Sequence, residues 1–218
     1  MEVEFLGVGS ALCPRRNASL LIGNLVIDIG PLIYPLLIGR DIKHVLLTHA
    51  HGDHILGLWH FLHFRTFNDS EKVKVYGSKS TLERAKQLLE ATIERSNLSR
   101  LLVEWQEVEN TFQVEDQTIF TKVLPHSGEI KTNIYRIGKL AYATDVIDSL
   151  ENVSFYKGIE VLIHGVGKKE HNHTPVEEVI EIAKQAGVRR LYLTHYCEEE
   201  ELAEDWVRWA QEGEIINV

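Results

Sequence analysis

The six residues His49-Ala50-His51-Gly52-Asp53-His54 carry three imidazoles and one carboxylate. Imidazole nitrogen and carboxylate oxygen are ligands of borderline softness, suited to zinc and also to manganese or iron. With ordinary residue frequencies this spacing arises by chance in roughly one chain of this length in ten thousand, which makes a solvated polar loop the weaker reading. A strand cannot turn these side chains toward one point, but a tight loop can, and Gly52 would permit unusual backbone there. Four such groups exceed the needs of one tetrahedral zinc that keeps a water and fall short of two. Further ligands must therefore arrive from elsewhere. Three apolar runs end in suitable residues: Leu124-Pro125-His126, Tyr142-Ala143-Thr144-Asp145 and Leu191-Tyr192-Leu193-Thr194-His195.

To position these groups the chain must supply strands that end at a common edge. Val/Ile/Leu-rich runs predict strands at Val3 to Val8, Ser19 to Ile22, Leu25 to Asp28, His44 to Thr48, Lys72 to Tyr76, Gln117 to Leu124, Asn133 to Ile137, Leu140 to Ala143, Glu160 to His164 and Arg190 to Thr194. Helical spacing predicts helices over Ser80 to Ser96 and over Thr174 to Ala186, the second with Thr174 as N-cap and Pro175 at the first helical position, and a third over Glu198 to Gln211. Val45 to His49 and Leu191 to His195 are similar strands ending in Thr-His, as if two halves of the chain meet at one site.

No linker or low-complexity segment divides the 218 residues, so a single domain over 1–218 is expected. A net charge of −9 argues against a protein that grips long nucleic acid by charge alone. Cys13 and Cys197 form no C-x-x-C pair, which excludes a disulfide framework and a cysteine-only zinc site and favours a reducing compartment. The N-terminus is acidic where a signal peptide is basic, and the apolar stretch from Leu20 to Ile38 is interrupted by Asn24, Asp28, Gly30 and two prolines. A soluble cytoplasmic protein without a membrane span is expected. Trp59, Trp206 and Trp209 either anchor a homodimer or fill the core.

The stretches Phe5-Leu6-Gly7-Val8-Gly9-Ser10, Asp28-Ile29-Gly30, Val45 to Leu58 and Thr194-His195 together resemble the metallo-β-lactamase superfamily. The resemblance implies an α/β fold, a four-layer αββα sandwich with metals at one sheet edge. It also implies a ligand set: His49, His51, His126 and Asp145 for one divalent ion, and Asp53, His54, His195 and a bridging Asp145 for a second. Two such ions, zinc first with manganese or iron as alternatives, share a water, activate it to a bridging hydroxide and stabilise charge on the attacked and leaving oxygens. Asp53 is thereby expected to be catalytic as well as a ligand. Diiron redox relatives resemble H-x-E-x-D-H instead, with a carboxylate where this chain has His51.

Within the superfamily, Val45 to Leu58 and His173-Thr174-Pro175 resemble the tRNase Z group and its smaller phosphodiesterase relatives. The resemblance makes His173 the catalytic proton donor to the leaving oxygen, and a position at a helix start would lower its pKa. The tRNA-processing enzymes carry a basic arm between the motif histidine and the bridging aspartate, whereas 18 residues separate His126 from Asp145. Nor does Lys139 to Thr144 contain the acid that orients the group's histidine. The expectation is a small-molecule or nucleotide-type phosphodiester as substrate, and not folded tRNA.

An alternative on the same cluster is a thioester or lactone hydrolase of the glyoxalase II or lactonase kind, but only 23 residues follow His195 where the former needs a helical addition. A degenerate binding module would have lost ligands, and none is missing. His164 is expected to serve the core or to support the ligands, and His60 and His63 to be packed or to line the pocket wall.

Overall fold

The structure is a computed structural model that describes residues 1–68 and 71–218. Among the described residues, fourteen strands form two sheets of seven. One contains β1 (Glu2–Gly7), β2 (Ser19–Ile22), β3 (Leu25–Ile27), β4 (His44–Leu46), β5 (Val73–Gly77), β6 (Val103–Glu107) and β14 (Ile215–Asn217) in the order β14-β1-β2-β3-β4-β5-β6. The other contains β7 (Thr111–Val114), β8 (Gln117–Ser127), β9 (Ile130–Ile137), β10 (Leu140–Ala143), β11 (Val161–Gly165), β12 (Arg190–Thr194) and β13 (Val207–Trp209) in the order β13-β12-β11-β10-β9-β8-β7. The α-helices are α1 (Tyr34–Leu37), α2 (Gly52–Asn68), α3 (Lys79–Thr92), α4 (Arg95–Leu98), α5 (Val153–Tyr156) and α6 (Val176–Ala186).

Strand alternation explains the layering. In β2, Leu20 and Ile22 face the core between the sheets, together with Ile119, Tyr135, Tyr142 and Tyr192 of the opposite sheet. Leu21, between them, faces the other way, toward a second core under α2 and α3. Helix α2 presents Ile55, Leu58, Phe61 and Leu62 to that core, and α3 adds Leu82, Ala85 and Leu89. Each such leucine, isoleucine or phenylalanine contributes about 1.5–3 kcal/mol of burial free energy. Val179, Ile182 and Ala183 of α6 pack on the opposite sheet, so the layers run helix, sheet, sheet, helix. That is the four-layer αββα sandwich the sequence resembles.

Three sequence expectations fail. Glu198 to Gln211 is not helical: Val207 and Trp209 pair in parallel with Leu191 and Leu193, because an edge position beside β12 outweighs a helical composition. The six-residue ligand cluster is not a loop throughout. Helix α2 begins at Gly52, which has no positive φ, and Asp53 lies in the first turn, where the helix dipole favours an acid. Thr174 does not cap α6. Pro175 is the N-cap residue, and Thr174 is buried, donating to the Val146 carbonyl at 2.8 Å and accepting from the Asp148 amide at 2.9 Å.

Trp59 packs partly buried against the core beneath α2, and Trp206 and Trp209 against the core of the other sheet. Among the described residues no helix is long and apolar enough to cross a membrane.

Candidate active site

All seven expected ligand residues meet at one edge of the sandwich. His49 and His51 follow β4, Asp53 and His54 open α2, His126 lies near the end of β8, Asp145 follows β10 and His195 follows β12. Both halves of the chain contribute, since β4 and β12 belong to different sheets. Backbone strain marks the junctions: Asp145 (φ 50°) and His195 (φ 60°) adopt left-handed backbone directly past their strands, as does Asp28 (φ 61°) past β3.

The segment after β3 docks on the first turns of α2. Ile29 N donates to the His54 carbonyl at 2.8 Å and Gly57 N to the Ile29 carbonyl at 2.9 Å. A Cβ on Gly57 would sit 2.1 Å from the Gly30 carbonyl oxygen, and one on Gly30 would sit 2.1 Å from that of Asp53, so only glycine permits this approach.

The donor atoms form two sets, His49, His51, His126 and Asp145, and Asp53, His54, Asp145 and His195, with the atoms of each set within 4.8 Å of one another. In the first set His51 Nδ1 lies 3.0 Å from His49 Nε2 and 3.1 Å from His126 Nε2. Neutral imidazoles cannot all offer lone pairs inward without a cation between them. In the second, His54 Nε2 and His195 Nε2 are buried and make no hydrogen bond among the described residues. Carboxylate oxygens nevertheless lie near: His54 Nε2 is 3.3 Å from Asp53 Oδ2 and 3.4 Å from Asp145 Oδ1, and His195 Nε2 is 3.1 Å from Asp145 Oδ2. Nitrogens and oxygens converge on shared points instead of on each other, as groups that hold a cation do. The donor set therefore fits a metal.

Surrounding groups fix the rings. Asp28, fully buried, accepts from His54 Nδ1 at 2.7 Å, from the Thr48 hydroxyl at 2.6 Å and from the Thr48 amide at 2.8 Å. His126 Nδ1 is 3.2 Å from the Asn172 carbonyl, to which it donates, and Thr144 Oγ1 donates to Asp145 Oδ1 at 2.7 Å. Electrostatics follow. Burial pushes the Asp145 carboxyl up, but His195, His54 and His49 outweigh it and hold it well below the usual range. Burial pushes His54 down, but Asp145 and Asp28 raise it well above the ordinary value, so cation binding there must displace a proton. His49 has the opposite fate, lowered by burial first and then by the charge of His54.

His173 joins the same wall. Its ring stacks on His195 at 4.9 Å and 28° and lies 5.2 Å from His126, with Nδ1 buried and unpartnered. Its pKa falls to about 4, chiefly through burial. The helix contributes little, since His173 lies three residues ahead of α6 and the dipole acts within the first turn.

A cavity of about 1000 Å³ opens onto His51, Asp53, His126, Asp145, His173 and His195, with Ser10, Leu12, Lys168, Lys169 and Trp209 in its wall. His164 does not reach it; the ring is fully buried, 3.3 Å from Asp148. His60 packs with Tyr34 and Trp59, and His63 with Trp59. Sequence reasoning assigned no site role to Asp28, whose partners are 20 and 26 residues away, or to Asp148, which holds the buried His164 beneath Thr174.

The family description "Beta-lactamase superfamily domain" matches residues 30–196. The ribonuclease Z of Oceanobacillus iheyensis is 24% identical, and the match covers 89% of both chains. Its 271 aligned positions exceed the 218 residues of this chain, so the relative carries residues that this chain lacks. The ribonuclease Z of Latilactobacillus sakei is 36% identical over 98 residues, which cover 38% of this chain and 31% of that one. Among solved structures, a diphosphatase from the PhnP family superposes with a TM-score of 0.83 at 20% identity, covering 99% of this chain and 96% of that one. Human tRNase Z, short form, superposes with a TM-score of 0.76 at 20% identity, covering 100% and 99%.

These relatives overturn the expectation that folded tRNA is excluded as substrate. The 18 residues between His126 and Asp145 are indeed taken up by the hairpins of β8, β9 and β10. Yet one missing segment does not decide what a shared scaffold cleaves, and net charge is an average that says nothing of Lys168 and Lys169 at the cavity wall. The chain belongs to the beta-lactamase superfamily, as a hydrolase built around a His/Asp metal site.

Proposed function

We propose that this chain is one hydrolase domain that cleaves a nucleotide-type phosphodiester, RNA included, with two divalent ions, zinc first. The observation that carries the reading is Asp145, whose carboxylate belongs to both donor sets at the base of a cavity that also admits His173. His49, His51 and His126 complete one set, and Asp53, His54 and His195 the other. When bound, such a pair of ions activates a water and stabilises charge on the attacked and leaving oxygens.

The chain's own groups supply the rest. Asp28, Thr48, Thr144 and the Asn172 carbonyl hold the ligands in orientation. Asp53 accepts the proton of the attacking water. His173, neutral at pH 7 with its pKa at about 4, takes up a proton as the anionic substrate binds and donates it to the leaving oxygen. The ribonuclease Z relatives and the burial of His173 beside His195 support this reading.

The test is hydrolysis of bis(p-nitrophenyl) phosphate by protein reconstituted with Zn²⁺ or Mn²⁺, with bound metal counted and Asp145→Asn as background. Metal-dependent turnover lost in the variant is expected. No turnover with two metals bound would overturn the phosphodiesterase reading in favour of thioesters and lactones.

A further inference from the structure

Cys13 and Cys197 are the only cysteines of the chain, separated by nearly its whole length, yet the fold brings them together. Cys13 lies in the segment after β1 of one sheet, and Cys197 in the segment after β12 of the other. Cys13 Sγ donates to the carbonyl of Tyr196, the residue preceding Cys197, at 3.4 Å, and to the Ser10 carbonyl at 3.6 Å. Ser10 in turn places its hydroxyl 3.2 Å from Cys197 Sγ. Cys13 Sγ thus lies against the backbone that leads into Cys197, and Ser10 touches both cysteines. Both are free, Cys197 exposed and Cys13 half-buried beneath it.

Their position connects them to the catalytic cavity. Ser10, Ala11 and Leu12 form one part of its wall, and His195, Tyr196, Cys197 and Glu198 form the facing part. The thiol pair thus lies where the two sheets' loops meet at the mouth, two residues past His195.

We propose that Cys13 and Cys197 form a reversible redox latch, oxidised by peroxide to a disulfide that ties the two cavity walls together and slows turnover. One thiol of the pair, as its thiolate, attacks one oxygen of hydrogen peroxide, becoming a sulfenic acid as the O–O bond breaks and one water leaves. The other thiol then attacks that sulfur and expels the hydroxyl as a second water. Two S–H bonds and one O–O bond are lost, and one S–S bond and two waters are formed. A transient disulfide of this kind suits a chain kept reduced by its surroundings. Closing an S–S bond of about 2.05 Å draws the segment after β12 toward the segment after β1. A catalytic constellation tolerates displacements of only about 0.5 Å, and His195 is two residues away.

The experiment treats the reduced full-length protein with hydrogen peroxide and follows free thiols, intact mass, a non-reducing peptide map, melting temperature and hydrolysis of bis(p-nitrophenyl) phosphate. Both thiols should vanish together, with the loss of two hydrogens and one Cys13–Cys197 cross-link within the chain. The melting temperature should rise by about 5–10 °C, because the bridge closes a loop of nearly the whole chain. Turnover should fall several-fold and return with dithiothreitol, while Cys13→Ser keeps its turnover and shows no such reversible loss. Oxygen added at Cys197 without a cross-link, or a cross-link between chains, would overturn the latch. A disulfide that forms within the chain with turnover unchanged would overturn its control of the cavity. The thiol, mass and melting readouts are independent of which substrate the site hydrolyses.

Discussion

The Asp28 carboxylate grips the far side of the His54 ring, receiving Nδ1–H at 2.7 Å while Thr48 supplies two more hydrogen bonds. Nε2 is thereby aimed at Asp53 and Asp145. Burial raises the Asp28 pKa above the usual carboxylate value, and the charge and hydrogen bond of His54, with the hydrogen bonds of Thr48, offset only part of that rise.

Asp28→Asn should therefore weaken the metal set that contains His54 by about 10- to 100-fold. Competition with a chromophoric chelator measures it, and the set without His54 serves as internal control. Unchanged affinity at both sets would show that the ring needs no such anchor.

Asp145→Asn should affect both sets, because one carboxylate serves two. Metal content should drop below one ion per chain, and hydrolysis by about 10²- to 10⁴-fold. Elemental analysis beside initial rates decides it. A variant that keeps two ions would refute the sharing.

His173→Ala should slow hydrolysis by about 10²- to 10⁴-fold while leaving metal content near that of the parent. Loss of metal in this variant would instead make His173 a support for the ligands, in keeping with its stacking on His195.

Asp148 provides a pH-dependent stability effect away from the metals. Burial raises its pKa, but hydrogen bonds from His164, Tyr156 and Asn152 and the charge of His164 bring it below the usual carboxylate value. A depressed folded pKa means stability that is present above the unfolded value of about 3.9 and is lost as pH falls through the folded one. Asp148→Asn should cost about 2–4 kcal/mol at pH 7, with the gap from the parent narrowing below about pH 4. Urea unfolding at several pH values checks this, and a gap independent of pH would exclude a charge origin.

What the sequence reveals and what it conceals divide along a physical line. His49 to His54 is legible because its spacing is local, and the candidate donors His126, Asp145 and His195 because each follows a recognisable apolar run. Helix α2 is hidden because its apolar stripe, Ile55, Leu58, Phe61 and Leu62, starts inside the ligand cluster and is interleaved with His60 and His63. The role of Asp28 depends on the crossing of β3 and α2, and that of Thr174 on a buried carbonyl 28 residues away, which no window of sequence contains. Val207 to Trp209 takes strand geometry only because β12 offers it an edge.

The left-handed backbone at Asp28, Asp145 and His195 has a consequence for the evolution and engineering of this chain. Each non-glycine residue there opposes folding by roughly 1–2 kcal/mol, less for aspartate than for histidine. Glycine would relax the backbone at all three positions, but at Asp28 and Asp145 it would strand buried hydrogen-bond donors, so His195 is where a screen for thermal robustness alone would favour it. Such a screen would select a hardier protein by erasing its metal chemistry, so improvement of this scaffold has to be sought at positions away from the strand ends.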